Sequence, residues 1–194
     1  MKDKVYLWAH KEGTQNNRFN IPGISKISPV DACNYMGIEN VIMVKNCFGQ
    51  PLPDEYEKYA ESFKPLRKVV WSLIGAGGKY EENDKERIIQ LKKKYKNITG
   101  AIMDDFFIPE NCAFTPEGIS EIREELHRNN MELWTVLYQH QLELNVENYL
   151  KGFDVITYWT WYGDKLNFLE KDFEKFLRKT EGKRRILLYV GLWK

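Results

Sequence analysis

Residues 98–104 read ITGAIMD, and residues 115–129 read TPEGISEIREELHRN. The first stretch is short, apolar and rich in β-branched side chains, which is typical of a strand buried on both faces. The second begins with Thr-Pro-Glu, a helix start in which threonine caps the helix and proline takes the first helical position. This part of the chain is therefore predicted to form one β-strand followed by one α-helix that runs to about Asn129.

The same alternation occurs along the whole chain. Strands are predicted at residues 4–9, 40–46, 67–73, 98–104, 131–137, 153–158 and 184–190. Helices are predicted at residues 29–36 after a Ser28 cap, 53–63, 82–95, 116–129, a short segment capped by Asn145, and 165–180. The strands begin on average about 30 residues apart, and repeated βα units of that size form a parallel sheet with right-handed crossovers.

Two architectures have such a sheet: the (β/α)₈ barrel and the open doubly wound sheet. An open sheet would normally carry a glycine-rich phosphate turn after its first strand, but residues 9–17 read AHKEGTQNN. The fold class predicted is therefore α/β, a TIM-type barrel with about seven βα units and no eighth. We expect residues 1–194 to form a single domain that is truncated at its C-terminus. An incomplete barrel exposes sheet edges, which favours pairing with another chain and is compatible with a homo-oligomer.

Composition excludes several classes of protein. Apolar residues make up 43% of the 194 residues and aromatic residues 14%, which argues against intrinsic disorder. The net charge is +1, without the basic surplus of a nucleic-acid binder. No run of about 18 apolar residues occurs, so no membrane span is predicted. The first residues lack a signal peptide, which leaves two compartments: secreted or periplasmic if a leader was removed, and otherwise cytoplasmic.

The active site of such a barrel lies at the carboxyl ends of its strands. Aromatic rings beside polar groups suit sugars, because the C–H groups of a sugar stack on a ring while its hydroxyls form hydrogen bonds. The tryptophans near these strand ends are candidate walls of a sugar site, and nearby polar side chains are candidate hydroxyl partners. The walls are Trp8, Trp71, Trp159 and Trp161, and the partners are His10, Asn46, Tyr138 and His140.

The adjacent carboxyl groups of Asp104 and Asp105 follow the fourth predicted strand. Two neighbouring carboxylates cannot easily both ionise, so one pKa rises, and the apolar Phe106 and Phe107 would add desolvation in the same direction. One protonated and one ionised carboxyl is what general acid catalysis at a glycosidic oxygen requires. The alternative is that these aspartates only bond to the backbone of the loop.

Other motifs in the chain predict less. A metal barrel would show His-x-His on its first strand, whereas residues 8–10 read WAH, so neither a metal nor another cofactor is predicted. The glycine-rich run at residues 75–78 indicates a flexible loop rather than a phosphate site. If catalysis used two separated carboxylates, Glu12 and Asp164 are the candidates for the second one.

Residues 102–107, IMDDFF, and residues 158–162, YWTWY, resemble glycoside-hydrolase barrels. The Asp-Asp pair resembles that of O-GlcNAc-hydrolase-type β-N-acetylglucosaminidases, and the Asp-Asp-Phe-Phe strand is similar to that of bacterial hydrolase-like barrels of unassigned activity. The first resemblance implies substrate-assisted catalysis, with Asp104 orienting the 2-acetamido group and Asp105 acting as acid and base. The Asp-Gly-x-Asp-x-Asp-x-Glu signature of chitinases is absent from the sequence.

The sequence thus predicts a hydrolase that cleaves a glycosidic bond in a carbohydrate ligand with Asp104 and Asp105. Two alternatives remain open. One is a glycan-binding barrel that uses the same aromatic face without catalysis and would tolerate the change Asp105→Asn. The other is an isomerase or aldolase that acts on a small phosphorylated sugar and binds phosphate after strands 7 and 8.

Overall fold

The computed structural model describes residues 5–18, 22–78, 80–107 and 114–193, without the side chains of residues 161–165 and 186–193. Seven strands pair in parallel in the order of the sequence, each with its neighbours in the chain. They are β1 (Leu7–Ala9), β2 (Asn40–Met43), β3 (Lys68–Ile74), β4 (Ile98–Met103), β5 (Glu132–Tyr138), β6 (Val155–Tyr162) and β7 (Arg184–Trp193). All seven predicted strands are confirmed.

Six α-helices in the described parts of the chain separate the strands, as predicted: α1 (Pro29–Met36), α2 (Tyr56–Ser62), α3 (Asp84–Lys94), α4 (Pro116–Arg128), α5 (Glu147–Leu150) and α6 (Leu169–Lys179). Side-chain caps begin two of them, because Ser28 Oγ accepts from the Asp31 N–H and Thr115 Oγ1 accepts from the Gly118 N–H. The predicted Asn145 cap is wrong, since Val146 occupies the cap position of α5.

Each face of the sheet carries its own apolar cluster, because successive side chains of a strand point to opposite faces. The larger cluster packs the outer face against the helices and includes Val41, Trp71 and Met103. The smaller cluster fills the concave face and contains Ile42, Val44, Val70, Ile102, Trp134, Val136, Tyr138 and Val155, with Tyr6, Trp8 and Trp159 packed against it. We call the space enclosed by this concave face the lumen.

The sheet is curled, and aromatic contacts between distant strands show it. The Tyr6 and Trp134 rings lie 5.2 Å apart between centroids, although β1 and β5 are not neighbours in the sheet. The Trp8 and Trp159 rings, from β1 and β6, lie 4.6 Å apart. The molecule is therefore an α/β protein with an incomplete TIM-type barrel, which confirms the predicted fold class. Across the described parts of the chain, no helix combines enough length and apolar character to cross a lipid bilayer.

Candidate active site

Asp104 follows β4 directly. It lies on the lumen side, on the same face as Ile102 two residues earlier. Its carboxyl group is buried, and one oxygen, Oδ1, accepts both a 2.7 Å hydrogen bond from Tyr138 Oη and a 2.9 Å bond from the Asp105 N–H. Burial and the negative charge of Asp105 raise the pKa of Asp104 to about 7, although the two hydrogen bonds oppose this rise. Asp104 is thus a carboxyl group that can hold a proton near neutral pH.

Asp105 has a left-handed backbone conformation, with φ of 47°. Aspartate is one of the few residues with a side chain that adopts this conformation readily. The turn brings Asp105 Oδ2 to within 2.6 Å of the Gly77 N–H, which donates to it from the loop after β3. A straight strand would direct these two adjacent side chains to opposite faces. The turn instead keeps the Asp105 carboxylate close enough for its charge to act on Asp104.

The loop at residues 75–78 is anchored, contrary to the flexible loop expected from its glycines. The Ala76 N–H donates a 2.9 Å bond to the Lys45 carbonyl, and a Cβ at Gly75 would lie 2.6 Å from Lys45 Cβ. Gly77 has a φ of 74°, in the left-handed region that glycine adopts without strain. This loop therefore fixes the backbone N–H that holds Asp105, a role that the sequence interpretation missed.

Behind the loop, Lys45 and Asp84 form a buried ion pair. Asp84 also accepts from Tyr56 Oη at 3.3 Å and from Arg87 at 3.4 Å. The pair joins the end of β2 to the start of α3, and the Lys45 carbonyl holds the glycine loop. The sequence interpretation did not find it, because the two residues are 39 positions apart and neither belongs to a local motif.

Aromatic side chains line the lumen beside Asp104. The Trp8 and Trp159 rings meet edge to face at 4.6 Å between centroids, and Tyr138 lies 6.0 Å from Trp159. His140 stacks on Tyr138 at 5.5 Å, with an interplanar angle of 17°. Four of the predicted site residues therefore form one continuous surface next to the two aspartates.

Two predicted ligand-binding histidines lie at this edge, and burial lowers the pKa of each. His10 Nδ1 is 3.0 Å from the Val44 carbonyl oxygen, a contact that opposes the lowering. The charge of Asp105 opposes the lowering of the His140 pKa. Both rings are consequently neutral at pH 7, and we expect them to act as hydrogen-bonding groups rather than cations.

Asn46 forms the turn after β2. Its Oδ1 accepts the backbone N–H groups of Phe48 and Gln50 at 2.9 and 3.0 Å, and the side chain is buried. An asparagine in this arrangement closes the turn with its oxygen and keeps its NH₂ group for another partner.

The structure does not bring every predicted residue to this site. Trp71 is buried on the outer face, where it packs against Tyr56 and Phe63 at 5.3 and 6.0 Å, because it alternates with the lumen residue Val70. Glu12 accepts a 2.5 Å bond from Tyr59 of α2, which holds its carboxylate at the helix layer. The described contacts of both side chains therefore lie in the helix layer and not in the lumen. Trp161 and Asp164 have side chains outside those described.

Metal-ligating side chains and cysteine thiols are the other groups that could react or bind at a site. Within the described residues, no group of three or more His, Cys, Asp or Glu side chains could hold a metal ion. Cys33 and Cys47 have free thiols.

Comparison with solved structures shows which proteins have a similar fold. No family model and no curated protein matches the sequence. The structure is similar to a chitinase from Chromobacterium violaceum, with a TM-score of 0.58 and 9% identity, over 95% of this chain and 67% of that one. It is also similar to a probable 2-pyrone-4,6-dicarboxylic acid hydrolase from Acinetobacter baumannii (TM-score 0.54, 13% identity, 95% and 69% covered).

A 3-dehydroquinate dehydratase from Enterococcus faecalis gives a TM-score of 0.53 at 9% identity, over 84% of this chain and 73% of that one. Identities this low show the fold alone. The fold and these comparisons define a TIM-barrel-like protein, and the similar structures include a chitinase, a probable hydrolase and a dehydratase.

Proposed function

We propose that the protein hydrolyses a glycosidic bond in a carbohydrate, with Asp104 and Asp105 as its catalytic carboxyl groups. One observation carries the proposal: Asp104 is buried at the carboxyl edge of the sheet, beside a second carboxylate, with a pKa raised to about 7. Strongly shifted carboxyl groups in such a position are typical of acid–base catalysis.

The hydrogen bonds of Asp104 suggest which atom carries the proton. The Tyr138 hydroxyl and the Asp105 N–H both donate to Oδ1, so neither of these two bonds involves Oδ2. Asp104 Oδ2–H would donate its proton to the glycosidic oxygen as the bond to the anomeric carbon breaks, and the carboxylate would then take a proton from the attacking water. This assignment differs from the roles that the family resemblance implies, in which Asp104 orients the 2-acetamido group and Asp105 is the acid.

Asp105 would then act through its charge. An oxocarbenium-like transition state develops positive charge at the anomeric carbon, and a nearby carboxylate stabilises it. The Gly77 N–H fixes one oxygen of Asp105, so the charge is oriented before the substrate arrives. Trp8, Trp159 and Tyr138 supply ring faces and edges against which the C–H groups of a sugar can pack.

The test is release of reducing sugar from a panel of glycans by the full chain. We expect Asp104→Asn and Asp105→Asn each to lose at least about 100-fold in rate, the usual contribution of a general acid or base. Asp54→Asn is the matched control, because Asp54 is an exposed carboxyl group outside the site. Circular dichroism must show all three variants folded, and full activity in either site variant would contradict the proposal.

One observation favours a second function, glycan binding without hydrolysis. Both carboxylates already accept hydrogen bonds from the protein, Asp104 from Tyr138 and Asp105 from Gly77, which is also how structural aspartates behave. A binding barrel would show no turnover and would keep its affinity for glycans in the Asp105→Asn variant. The same panel, measured by calorimetry, separates the two functions.

A further inference from the structure

Four buried polar side-chain atoms have no hydrogen-bond partner among the described residues: Asn40 Oδ1, Asn46 Nδ2, Tyr158 Oη and Trp159 Nε1. Burying such a group without a partner destabilises the folded protein, so each one needs a reason. Two of the four are N–H donors near the carboxyl ends of strands that border the lumen, where the candidate active site lies. Those two are Asn46 Nδ2 and Trp159 Nε1.

The orientation of the Asn46 amide is fixed by its other half. Oδ1 accepts two backbone N–H groups, from Phe48 and Gln50, so a flipped amide would set its NH₂ group against two donors. Nδ2 therefore remains the end without a partner. The residue is only 2% exposed, which makes bulk water a poor substitute for a ligand.

The Trp159 indole is held by the neighbouring rings of the lumen. Trp8 meets it edge to face at 4.6 Å, and Tyr138 lies 6.0 Å away. Trp8 also connects the two donors, because its strand pairs with β2, the strand that leads to Asn46, while its ring contacts Trp159. Strand pairing and this ring contact therefore connect the strand that leads to Asn46 with the strand that carries Trp159.

The neighbouring residue Tyr158 gives a contrast on the opposite face. Its ring packs against Phe173 and Phe176 of α6, so its hydroxyl lies in the helix layer away from the lumen. Tyr158 Oη is left without a partner by the packing of its ring against α6. It therefore serves as a comparison group for the two lumen donors.

We propose that Asn46 Nδ2–H and Trp159 Nε1–H are ligand-binding donors that each bind an acceptor oxygen of a neutral oligosaccharide. The choice of a carbohydrate rests on the proposed function. The choice of an uncharged one rests on charge: Asp104 and Asp105 lie at the same edge, and Lys45, the buried cation beside Asn46, is paired with Asp84. An acidic sugar would therefore meet two carboxyl groups at this edge, where the buried ammonium of Lys45 is already neutralised by Asp84.

The experiment measures binding by calorimetry in the Asp104→Asn background, so that no substrate is consumed. The probes are chitotriose, cellotriose and trigalacturonate, two neutral trisaccharides and an acidic one. Asn46→Asp keeps both acceptor bonds of the turn and replaces the NH₂ group by oxygen, while Trp159→Phe keeps a ring and removes the N–H. Tyr158→Phe is the matched control, since it removes an unpartnered group from the other face.

We expect at least one neutral trisaccharide to bind, and we expect Asn46→Asp and Trp159→Phe each to weaken its Kd by about tenfold or more. Tyr158→Phe should leave Kd unchanged. Unchanged Kd in both lumen variants, preference for trigalacturonate, or no binding of any of the three probes would overturn the inference. If binding behaves as expected while the unmodified protein hydrolyses nothing, the donor site stands and the proposed hydrolysis fails.

Discussion

Tyr138 Oη donates a 2.7 Å hydrogen bond to Asp104 Oδ1 between two neighbouring strands, β4 and β5. The bond stabilises the charged carboxylate and so lowers the pKa of Asp104, but burial and the charge of Asp105 raise it more strongly. In return, burial and the two carboxyl groups raise the pKa of Tyr138. Tyr138 therefore stays a donor throughout the pH range in which Asp104 titrates.

This balance predicts the effect of Tyr138→Phe on pH dependence. Without the phenol the carboxylate loses a stabilising bond, so the pKa of Asp104 should rise from about 7 by roughly one further unit. If protonated Asp104 is the acid, the alkaline limb of the rate profile moves to higher pH by the same amount. The measurement is kcat/KM against pH, with Tyr158→Phe as the control, and a limb that moves to lower pH would contradict the assignment.

Asp104 should also make stability depend on pH. Its pKa is about 7 in the folded protein and near the ordinary value of 3.8 when unfolded, so the folded state binds the proton more tightly. Stability due to this group is therefore fully present below pH 4 and is lost as the pH rises to about 7, by about 2–4 kcal/mol.

Urea unfolding of the unmodified protein and of Asp104→Asn at pH 4, 5.5 and 7.5 measures this term. An asparagine oxygen can still accept the bonds that reach Oδ1, so the variant keeps the local contacts and lacks the titration. The difference in unfolding free energy should shift in favour of the variant as the pH rises. Equal pH dependence in both proteins would show that Asp104 is not perturbed.

Local sequence signals were sufficient for the fold. Apolar runs predicted every strand, and the Ser28 and Thr115 caps began helices where expected, because strand burial and helix capping depend on adjacent residues. Boundaries were less accurate: the helix predicted from residue 165 begins as a 3₁₀ turn, and α6 itself starts at Leu169.

The site was predicted only in part, for physical reasons that differ by residue. Trp71 was predicted to line the site because it lies near the end of a strand. The alternation of side chains along that strand instead directs it to the helix layer. Glu12 accepts a bond from Tyr59, which is 47 positions away, so no local sequence signal indicates that contact. The contact between Lys45 and Asp84 is similarly remote in sequence, and only the folded sheet brings the two together.

The buried Lys45–Asp84 pair should be costly to break on one side. Lys45→Met leaves a buried carboxylate and Asp84→Leu leaves a buried ammonium, so each should cost about 3–5 kcal/mol in the free energy of unfolding. The double variant should recover much of that loss, because neither buried charge remains and Arg87 keeps Glu81 as a partner. Urea unfolding measures all three.

The control for this pair is Lys64–Glu61 on the surface, whose side chains are 58% and 55% exposed. Lys64→Ala should change stability by no more than about 0.5 kcal/mol, as is usual for exposed pairs. A double variant as unstable as the sum of the two single variants would show that Lys45 and Asp84 act independently.

Gly75 should connect stability to the site. A Cβ there would lie 2.6 Å from Lys45 Cβ and 2.7 Å from the Lys45 carbonyl oxygen, and that oxygen is backbone that cannot rotate away. Gly75→Ala should therefore destabilise the protein by about 1–3 kcal/mol. It should also displace the loop that supplies the Gly77 N–H. The rate of the proposed hydrolysis, measured at a temperature where the variant is fully folded, should therefore fall as well.

Gly118→Ala is the control, because its nearest contacts are 3.6 and 4.0 Å and it lies in the first turn of α4. Alanine there should be neutral or stabilising by up to about 1 kcal/mol. If Gly75→Ala lowers stability but leaves the rate of the folded protein intact, the loop supports the fold without positioning Asp105. If the rate falls while Gly118→Ala keeps it, the strain at Lys45 reaches Asp105 through the Gly77 hydrogen bond.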